Sequence, residues 1–257
     1  MKLALFYKEN KLDADYVSDL KNKICSFGFN LDCENPDVVL FVGGDGTFLR
    51  AFHQYFDKVD TIKFIGLNKG HLGFFCSYSE LEIDSLLNDL KDGRIHEESY
   101  RLLKANFGDS EVYAVNEIRI ESPFQTLISE VEIDGKHLET FRGNGLSVSS
   151  SLGSSAYNKS LSGAVVSPKL EVLELTEIAP INNRVFHSLH SSLVLNDKTE
   201  IVLRPKTSNI IIGYDELISE DKNSNMIKFV LSNKRVSLLY KEDYDYISNL
   251  SKAFIED

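Results

Sequence analysis

The stretch Val38-Val39-Leu40-Phe41-Val42-Gly43-Gly44-Asp45-Gly46-Thr47, continued by Phe48-Leu49-Arg50-Ala51-Phe52-His53-Gln54-Tyr55, decides how the first part of this chain folds. An unbroken apolar run with β-branched residues, bounded by glycines, reads as a strand buried on both faces of a parallel sheet. The glycines predict a tight strand-to-helix turn in which no side chain blocks the backbone. Free N–H groups at that turn and at the start of the following helix favour phosphate. Asp45 is the unusual residue: a bound phosphate repels a carboxylate there, so it needs a cation or a reacting hydroxyl as partner. A phosphate site with an acid at its centre points to phosphoryl transfer. The competing reading is an Asp-Gly turn without a ligand, since such dipeptides are common turn formers.

Outward from this stretch, Lys2 to Tyr7 and Ile62 to Leu67 read as strands. Leu12, Tyr16, Leu20 and Ile24 recur at helical spacing before Gly28, and Leu81 to Leu90 form a second helical pattern closed by Gly93. Strands alternating with helices up to about Ile95 predict a Rossmann-like α/β lobe with a parallel sheet, whose ligands bind at the carboxyl ends of the strands. After about Glu97 the runs shorten and alternate: Val112 to Ile120, Leu127 to Ile133, then Lys136 to Phe141 after the hairpin pair Asp134-Gly135. Further strand-like runs are Ser192 to Leu195, Glu200 to Leu203, Ile210 to Tyr214, Met226 to Leu231 and Val236 to Tyr240. Many short strands with turn signals predict an antiparallel β-sandwich lobe. Tyr244 to Ile255 looks helical. The expected organisation is an α/β lobe over 1–96, a β-sandwich lobe over 97–240, and a C-terminal helix over 241–257 packing on the first lobe.

The 257 residues suffice for one large domain or two lobes, with ordinary globular proportions of 26% charged and 42% hydrophobic residues. A formal charge of −11 argues against a nucleic-acid or anionic-membrane partner. It also implies that a polyphosphate must be held by backbone dipoles, a metal ion and a few cations, with few cations expected near the glycine turn. No segment approaches the ~20 apolar residues of a membrane span, and the first residues do not read as a signal peptide. Cys25, Cys33 and Cys76 are odd in number and lack metal-type spacing, so reduced thiols and a cytoplasmic location are expected.

Three features interrupt the β pattern of the second half. Asn116-Glu117 lies within a strand-like run, and is either an ordinary pair on a solvated edge or an amide and a carboxylate placed at a ligand. An amide can bond adenine in two directions, and a carboxylate can accept from a ribose hydroxyl. Gly153-Ser154-Ser155-Ala156-Tyr157-Asn158-Lys159-Ser160-Leu161-Ser162-Gly163, preceded by Ser149-Ser150-Ser151, reads either as a serine-rich loop capping a helix through Ser154 or Ser155 or as a hydroxyl-lined ligand segment in which Tyr157 offers a flat face. Arg142-Gly143-Asn144-Gly145 makes a turn with a cation. His187 and His190 have metal-compatible spacing without an obvious third ligand, so no metal site is assigned.

Taken together, these segments resemble the bacterial NAD kinases (the ATP-NAD kinase family) over essentially the whole chain. Gly43 to Thr47 looks like the family's first signature, and Gly66-Leu67-Asn68-Lys69-Gly70-His71-Leu72-Gly73-Phe74 like the segment that follows it. Asn116-Glu117 matches the diagnostic pair. Ser154 to Ser160 resembles the second glycine- and serine-rich signature, and Ala179-Pro180-Ile181 the short motif after it. The first signature alone is shared with diacylglycerol kinases and phosphofructokinases; the combination is specific.

The resemblance implies transfer of the γ-phosphoryl group of ATP, with Mg²⁺ or another divalent cation, to the 2′-hydroxyl of the adenosine ribose of NAD, giving NADP. It implies Asp45 as the catalytic carboxylate, with Asp45, Gly46, Phe74, Asn116, Glu117, Arg142, Asn144, Ser155, Ala156, Tyr157, Asn158, Lys159, Ser160, Ala179 and Phe186 at the dinucleotide. Gly43, Gly44, Gly46, Thr47 and Asn68 fall at the ATP phosphates. A homo-oligomer, dimer or tetramer, with shared sites is implied, Phe186 being a residue that a neighbouring subunit borrows. Departures from the family pattern are Asn144 for the usual aspartate, Ser155 for threonine, Ser162-Gly163 where two glycines are common, and Asp215-Glu216 for an Asp-Gly or Asp-His pair. The rival readings are a lipid or sugar kinase sharing the glycine-aspartate turn, or a dinucleotide sensor without catalysis.

Overall fold

All five side chains of β3 (Val38–Val42) are buried, because the strand has parallel neighbours on both edges and is covered on both faces. The computed structural model describes residues 1–70, 73–219 and 224–256. The chain divides into two compact units, Met1–Ser99 with Val236–Asp257, and Tyr100–Arg235.

In the first unit, β1 (Lys2–Tyr7), α1 (Ala14–Ser26), β2 (Asn30–Leu31), β3, α2 (Asp45–Gln54), β4 (Lys63–Asn68), β5 (Tyr78–Ser79) and α3 (Ile83–Asp92) follow one another. The strands pair in parallel in the order β2-β1-β3-β4-β5, as alternation of strand and helix patterns predicts. One sheet face packs Leu3, Leu40 and Ile65 against Leu20 and Ile24 of α1 and Leu86 and Leu87 of α3. The other carries an aromatic cluster in which Phe48 of α2 lies 4.4 Å from Phe75, 5.4 Å from Phe41 and 5.5 Å from Phe64 between ring centroids. Each fully buried side chain of this size stabilises by ~1.5–3 kcal/mol. Asp13 caps α1 by accepting from the amide of Asp15, and Gly93, in the left-handed region at φ 73°, ends α3. The pattern expected to start a helix at Leu81 begins instead with a 3₁₀ turn at Glu80–Glu82, where Ser79 and Glu82 form a capping box; Leu81 is exposed.

Strand β6 (Ile95–Phe107) leads into the second unit, which contains β7 (Ser110–Ala114), β8 (Glu117–Glu121), β9 (Leu127–Ile133), β10 (Lys136–Gly143), β11 (Gly145–Ser150), α4 (Tyr157–Ser160), β12 (Val172–Ile178), β13 (Leu193–Asn196), β14 (Ile201–Pro205), β15 (Ile211–Tyr214) and β16 (Leu217–Ile218). One antiparallel sheet runs β13-β12-β11-β8-β15-β16. Its inner face (Ile118, Ile120, Leu146, Val148, Leu173, Leu175, Ile212) meets Leu103, Val131, Phe141, Ile201 and Phe229 of the facing strands in one core. This is sandwich packing. Asp134 and Gly135, at φ 50° and 74°, turn β9 into β10 as their sequence predicts.

Three expectations change. The run Val112 to Ile120 is not one strand: it breaks between β7 and β8 at Val115-Asn116. The serines before Ser151 belong to β11 and not to a loop, with Ser147, Ser149 and Ser150 buried. Met226 to Leu231 and Val236 to Tyr240 form one strand, β17 (Ile227–Lys241), because Arg101 donates to the carbonyls of Leu231 and Ser232 and keeps the polar stretch between them extended. The end of β17 returns the chain to the first unit, pairing Ser237 to Leu239 in parallel with β4. There α5 (Tyr246–Phe254), capped by Asp245, places Phe254 5.5 Å from the ring of Phe74. No helix among the described residues is long and apolar enough to cross a membrane.

Candidate active site

In the first unit, β3 ends at a cavity of about 410 Å³ lined by Gly43, Gly44, Gly46, Thr47, Val42, Leu12 and three lysines, Lys8, Lys11 and Lys69. Gly43 sits at φ 146°, and a Cβ there would overlap the Thr47 hydroxyl, so the turn requires glycine. The carbonyl of Gly44 accepts the first bonds of α2, from Thr47 and Phe48, leaving the amides of Asp45 and Gly46 ahead of the helical ladder. That is where a helix offers N–H groups to an anion. The lysines correct the expectation of few cations at this turn. Tyr7 pairs with Val42 and Val42 with Leu67, so the residues just past β1 and β4 converge on Gly43 whatever the net charge. The rule that ligands bind at the carboxyl ends of parallel strands, applied to Lys8 and Lys69, was the available signal. Asn68 is buried, donates to the carbonyl of Gly70, leaves Oδ1 without a partner among the described residues, and is not among the residues lining the cavity. His71 and Leu72 of the second segment lie outside the described residues.

The side chain of Asp45 does not line that cavity. It accepts from the amides of Phe74 at 3.1 Å and Phe75 at 3.2 Å, and a Cβ on Gly73 would overlap it. Among the described residues its hydrogen-bond partners are thus backbone amides and not a cation. Burial raises its pKa above the ordinary carboxylate value, against the two amide bonds, which lower it. A carboxylate so placed is fixed in direction and more basic than a solvated one.

In the second unit, Asn116 and Glu117 are 8% and 4% exposed, so the solvated-edge reading fails. The break between β7 and β8 is filled by Asp215, whose carboxylate accepts from the amides of Val115 (3.0 Å) and Asn116 (2.8 Å). Asp215 itself lies in the left-handed region, at φ 48°. Ser150 closes the other side: its amide donates to the carbonyl of Asn116 and its hydroxyl to that of Val115. With the backbone so held, Oδ1 of Asn116 and Oε2 of Glu117 remain buried without partners among the described residues. Buried acceptors of this kind are costly unless a ligand supplies the donor. Burial, and then the charge of Asp215, push Glu117 up to about 7 against Arg119, which lowers it.

Strand register gathers the rest. Ser149 lies opposite Glu117 and Ser147 opposite Arg119, so these side chains share the face turned away from the apolar core. The serine-rich segment adjoins it as a 3₁₀ turn (Leu152–Ser155) followed by the single turn of α4. Neither Ser154 nor Ser155 caps a helix: the Ser154 hydroxyl donates to the carbonyl of Ser151 at 2.8 Å and accepts from the amide of Val166 at 2.9 Å. Asn158 points inward, donating to Glu174 Oε2 at 2.9 Å and accepting from Thr176, while Glu174 also accepts from the amide of Ala164. It braces the segment from within. Ser155, Ala156 and Tyr157 are half-buried; Lys159, Ser160 and Asn144 are exposed, and Ala179 stands at the left-handed φ of 45°. The Arg142 guanidinium stacks 4.4 Å from the ring centroid of Phe186 in the same chain. Ser162, in place of a common glycine, occupies the left-handed region at φ 65°. His187 and His190 join no group of three metal-type side chains among the described residues. The sequence motifs do not include Lys8, Lys11, Arg119 or Glu174, and they give Asp215 no positioning role.

Residues 17–95 match the family model of the ATP-NAD kinase N-terminal domain, and residues 115–239 that of the ATP-NAD kinase C-terminal domain. The chain is 37% identical over 262 residues to an NAD kinase of Leuconostoc citreum, covering 100% of this chain and 99% of that one. It is 34% identical over 264 residues to NAD kinase 1 of Bacillus cereus, covering 100% of both. Its fold is similar to a crystal structure of an Archaeoglobus fulgidus NAD kinase in complex with ATP, with a TM-score of 0.81 at 23% identity over 98% of each chain. A yeast NADH kinase complexed with NADH gives the same TM-score at 18% identity, over 100% of this chain and 89% of that one. On the two domain matches and the full-length relatives, the chain belongs to the NAD kinase family and is a phosphotransferase.

Proposed function

We propose that this kinase transfers the γ-phosphoryl group of ATP to the 2′-hydroxyl of the adenosine ribose of NAD, giving NADP. The observation that carries the reading is the arrangement at the glycine turn. Three lysines and the glycine turn line one cavity, which the side chain of Asp45 does not line, and the Asp45 carboxylate, next in the chain, is fixed by the amides of Phe74 and Phe75. Phosphoryl transfer asks the protein for positioning and charge neutralisation more than covalent chemistry. Lys8, Lys11 and Lys69 neutralise the donor's phosphates and the amides of Asp45 and Gly46 orient them. Asp45 orients the attacking hydroxyl and takes its proton, a role served by its raised pKa. Asn116 and Glu117 supply the buried acceptors for the dinucleotide's polar groups, with Tyr157, Arg142, Asn144 and Ala179 around them.

The divalent cation that the resemblance implies belongs to the substrate in this reading: it enters bound to the phosphates of ATP. Cys25, Cys33 and Cys76 are free thiols, which supports a reducing, cytoplasmic location, and a homo-oligomer is proposed from the family resemblance.

The test is direct. Purified protein incubated with Mg-ATP and NAD should produce NADP, measured by a dehydrogenase that accepts only NADP. Phosphorylation of a diacylglycerol or a hexose without NADP formation would replace this reading, and binding of NAD without turnover would make the protein a sensor.

A further inference from the structure

Arg119 belongs to neither glycine-rich signature, yet it joins the buried carboxylate to the serine-rich segment. It stands two residues after Glu117 on β8 and so shares its face. Nη1 donates to Glu117 Oε1 at 2.9 Å, and Nε donates to Glu121 Oε2 at 3.3 Å. The guanidinium carbon lies 5.0 Å from the ring centroid of Tyr157. The arginine side chain lies against Gly213, its register partner on β15. The side chain is three-quarters buried, so these contacts hold it in one orientation. A carboxylate with one oxygen pinned cannot turn about its own axis. The Oε2 of Glu117, buried and without a partner among the described residues, is consequently aimed in one direction.

We propose that Arg119 is a positioning and specificity-determining residue: it occupies one oxygen of Glu117 so that the other is presented as a single fixed acceptor for a hydroxyl of the dinucleotide, and it seats the ring of Tyr157 beside that acceptor. The inference rests on the reading of Glu117 as a dinucleotide contact. The charged groups that act on Glu117 are Asp215 and Glu121, which oppose its charge, and Arg119, which favours it; burial raises the neighbouring Tyr157 phenol, and Glu117 in turn adds to that. Arg119 is the cation of that set. Without it Glu117 holds its proton to higher pH, and a protonated, freely turning carboxyl no longer discriminates between a ligand with the hydroxyl and one without.

Two variants, each followed by titration and by kinetics, test this. In Arg119→Met, the side-chain carboxyl of Glu117, followed by carbon NMR in the absence of any substrate, should titrate about one pH unit or more above wild type. The KM for NAD should rise about tenfold while kcat falls less than about threefold, the loss of a binding contact and not of the chemical step. The acid limb of kcat/KM should move upward in pH with the NMR titration, and the preference for NAD over its 3′-deoxyadenosine analogue should shrink. Arg119→Lys keeps the charge without the planar fork: the titration should return towards wild type while KM stays raised. It also serves as the test if the methionine variant does not fold. An unchanged Glu117 titration together with an unchanged KM in either variant overturns the proposal. A shifted titration with unchanged KM and unchanged discrimination overturns instead the dinucleotide role of Glu117 on which it rests.

Discussion

Asp45 shows how little the identity of a residue says until its neighbours are fixed. In sequence it is a carboxylate among glycines that favour phosphate, an electrostatic conflict; in the fold two amides from Phe74 and Phe75 hold it, and the lysines line a cavity that its side chain does not. Asp45→Asn should lower kcat by ~10²–10⁴ with little change in NAD binding, because the amide keeps the shape but cannot take the proton. Steady-state kinetics with calorimetry of NAD checks it, and a variant that keeps a third of wild-type turnover removes Asp45 from the role. The lysines act on the donor instead. Lys8→Met and Lys11→Met should each raise the KM for ATP several-fold, leave that for NAD nearly unchanged, and weaken the salt dependence of ATP binding. Equal ATP affinity at low and high salt (about 50 and about 300 mM) in wild type would count against a role for this cluster.

At the scale of elements, the decisive feature is an interruption. Alternation makes Val112 to Ile120 read as one strand, and local chemistry offers nothing to break it. The break comes from Asp215, 99 residues from Asn116 in sequence, whose carboxylate takes the two amides that a continuous ladder would otherwise use. Asp215→Ala leaves both amides buried without acceptors, each costing ~1–3 kcal/mol. The variant should lose ~2–4 kcal/mol of unfolding free energy in urea and also lose NAD binding, with ATP binding in the other unit retained. A loss below about 0.5 kcal/mol, the scale of a surface change, would mean that Asp215 does not hold the break. The β3 turn is the opposite case: strand, glycines and helix start are adjacent in sequence, so its form is legible from the order of the residues alone.

Over the whole molecule, buried carboxylates set the pH response. Glu117 is raised to about 7 by burial and Asp215, and Glu139 is raised by burial beside Glu177. In each case the folded state holds the proton more tightly than the unfolded chain. Stability is therefore fully present below the ordinary glutamate value of 4.5 and lost as pH rises to about 7, for Glu117 by about 3 kcal/mol. Glu82, lowered to about 2 chiefly by its hydrogen bond from Lys241, works in the opposite sense and only below 4.5. The thermal midpoint of the free protein should thus fall between about pH 5 and about pH 8. Glu117→Gln should flatten that decline and raise the midpoint at the alkaline end while weakening NAD binding by ~1–3 kcal/mol, a stability gain made at a functional site. A lower midpoint for this variant at that pH would show that the charged Arg119 pair outweighs the burial of the carboxylate.

What the sequence determined by itself is whatever depends on neighbours along the chain. The period of the apolar residues separates a parallel α/β unit from an antiparallel one, the glycines after Val42 make a phosphate-binding turn, and Asp134-Gly135 makes a hairpin. What only the tertiary structure decided is the state of the polar groups. The burial of Asn116 and Glu117, the clamp of Arg119 on Tyr157 and the convergence of Lys8, Lys11 and Lys69 all depend on strands distant in sequence being paired in one register. The physical reason is the range of the forces involved. Backbone sterics and hydrophobic periodicity act over a few residues, whereas desolvation and charge pairing are set by whatever the fold brings within a few ångströms, and the sequence order carries no measure of that distance.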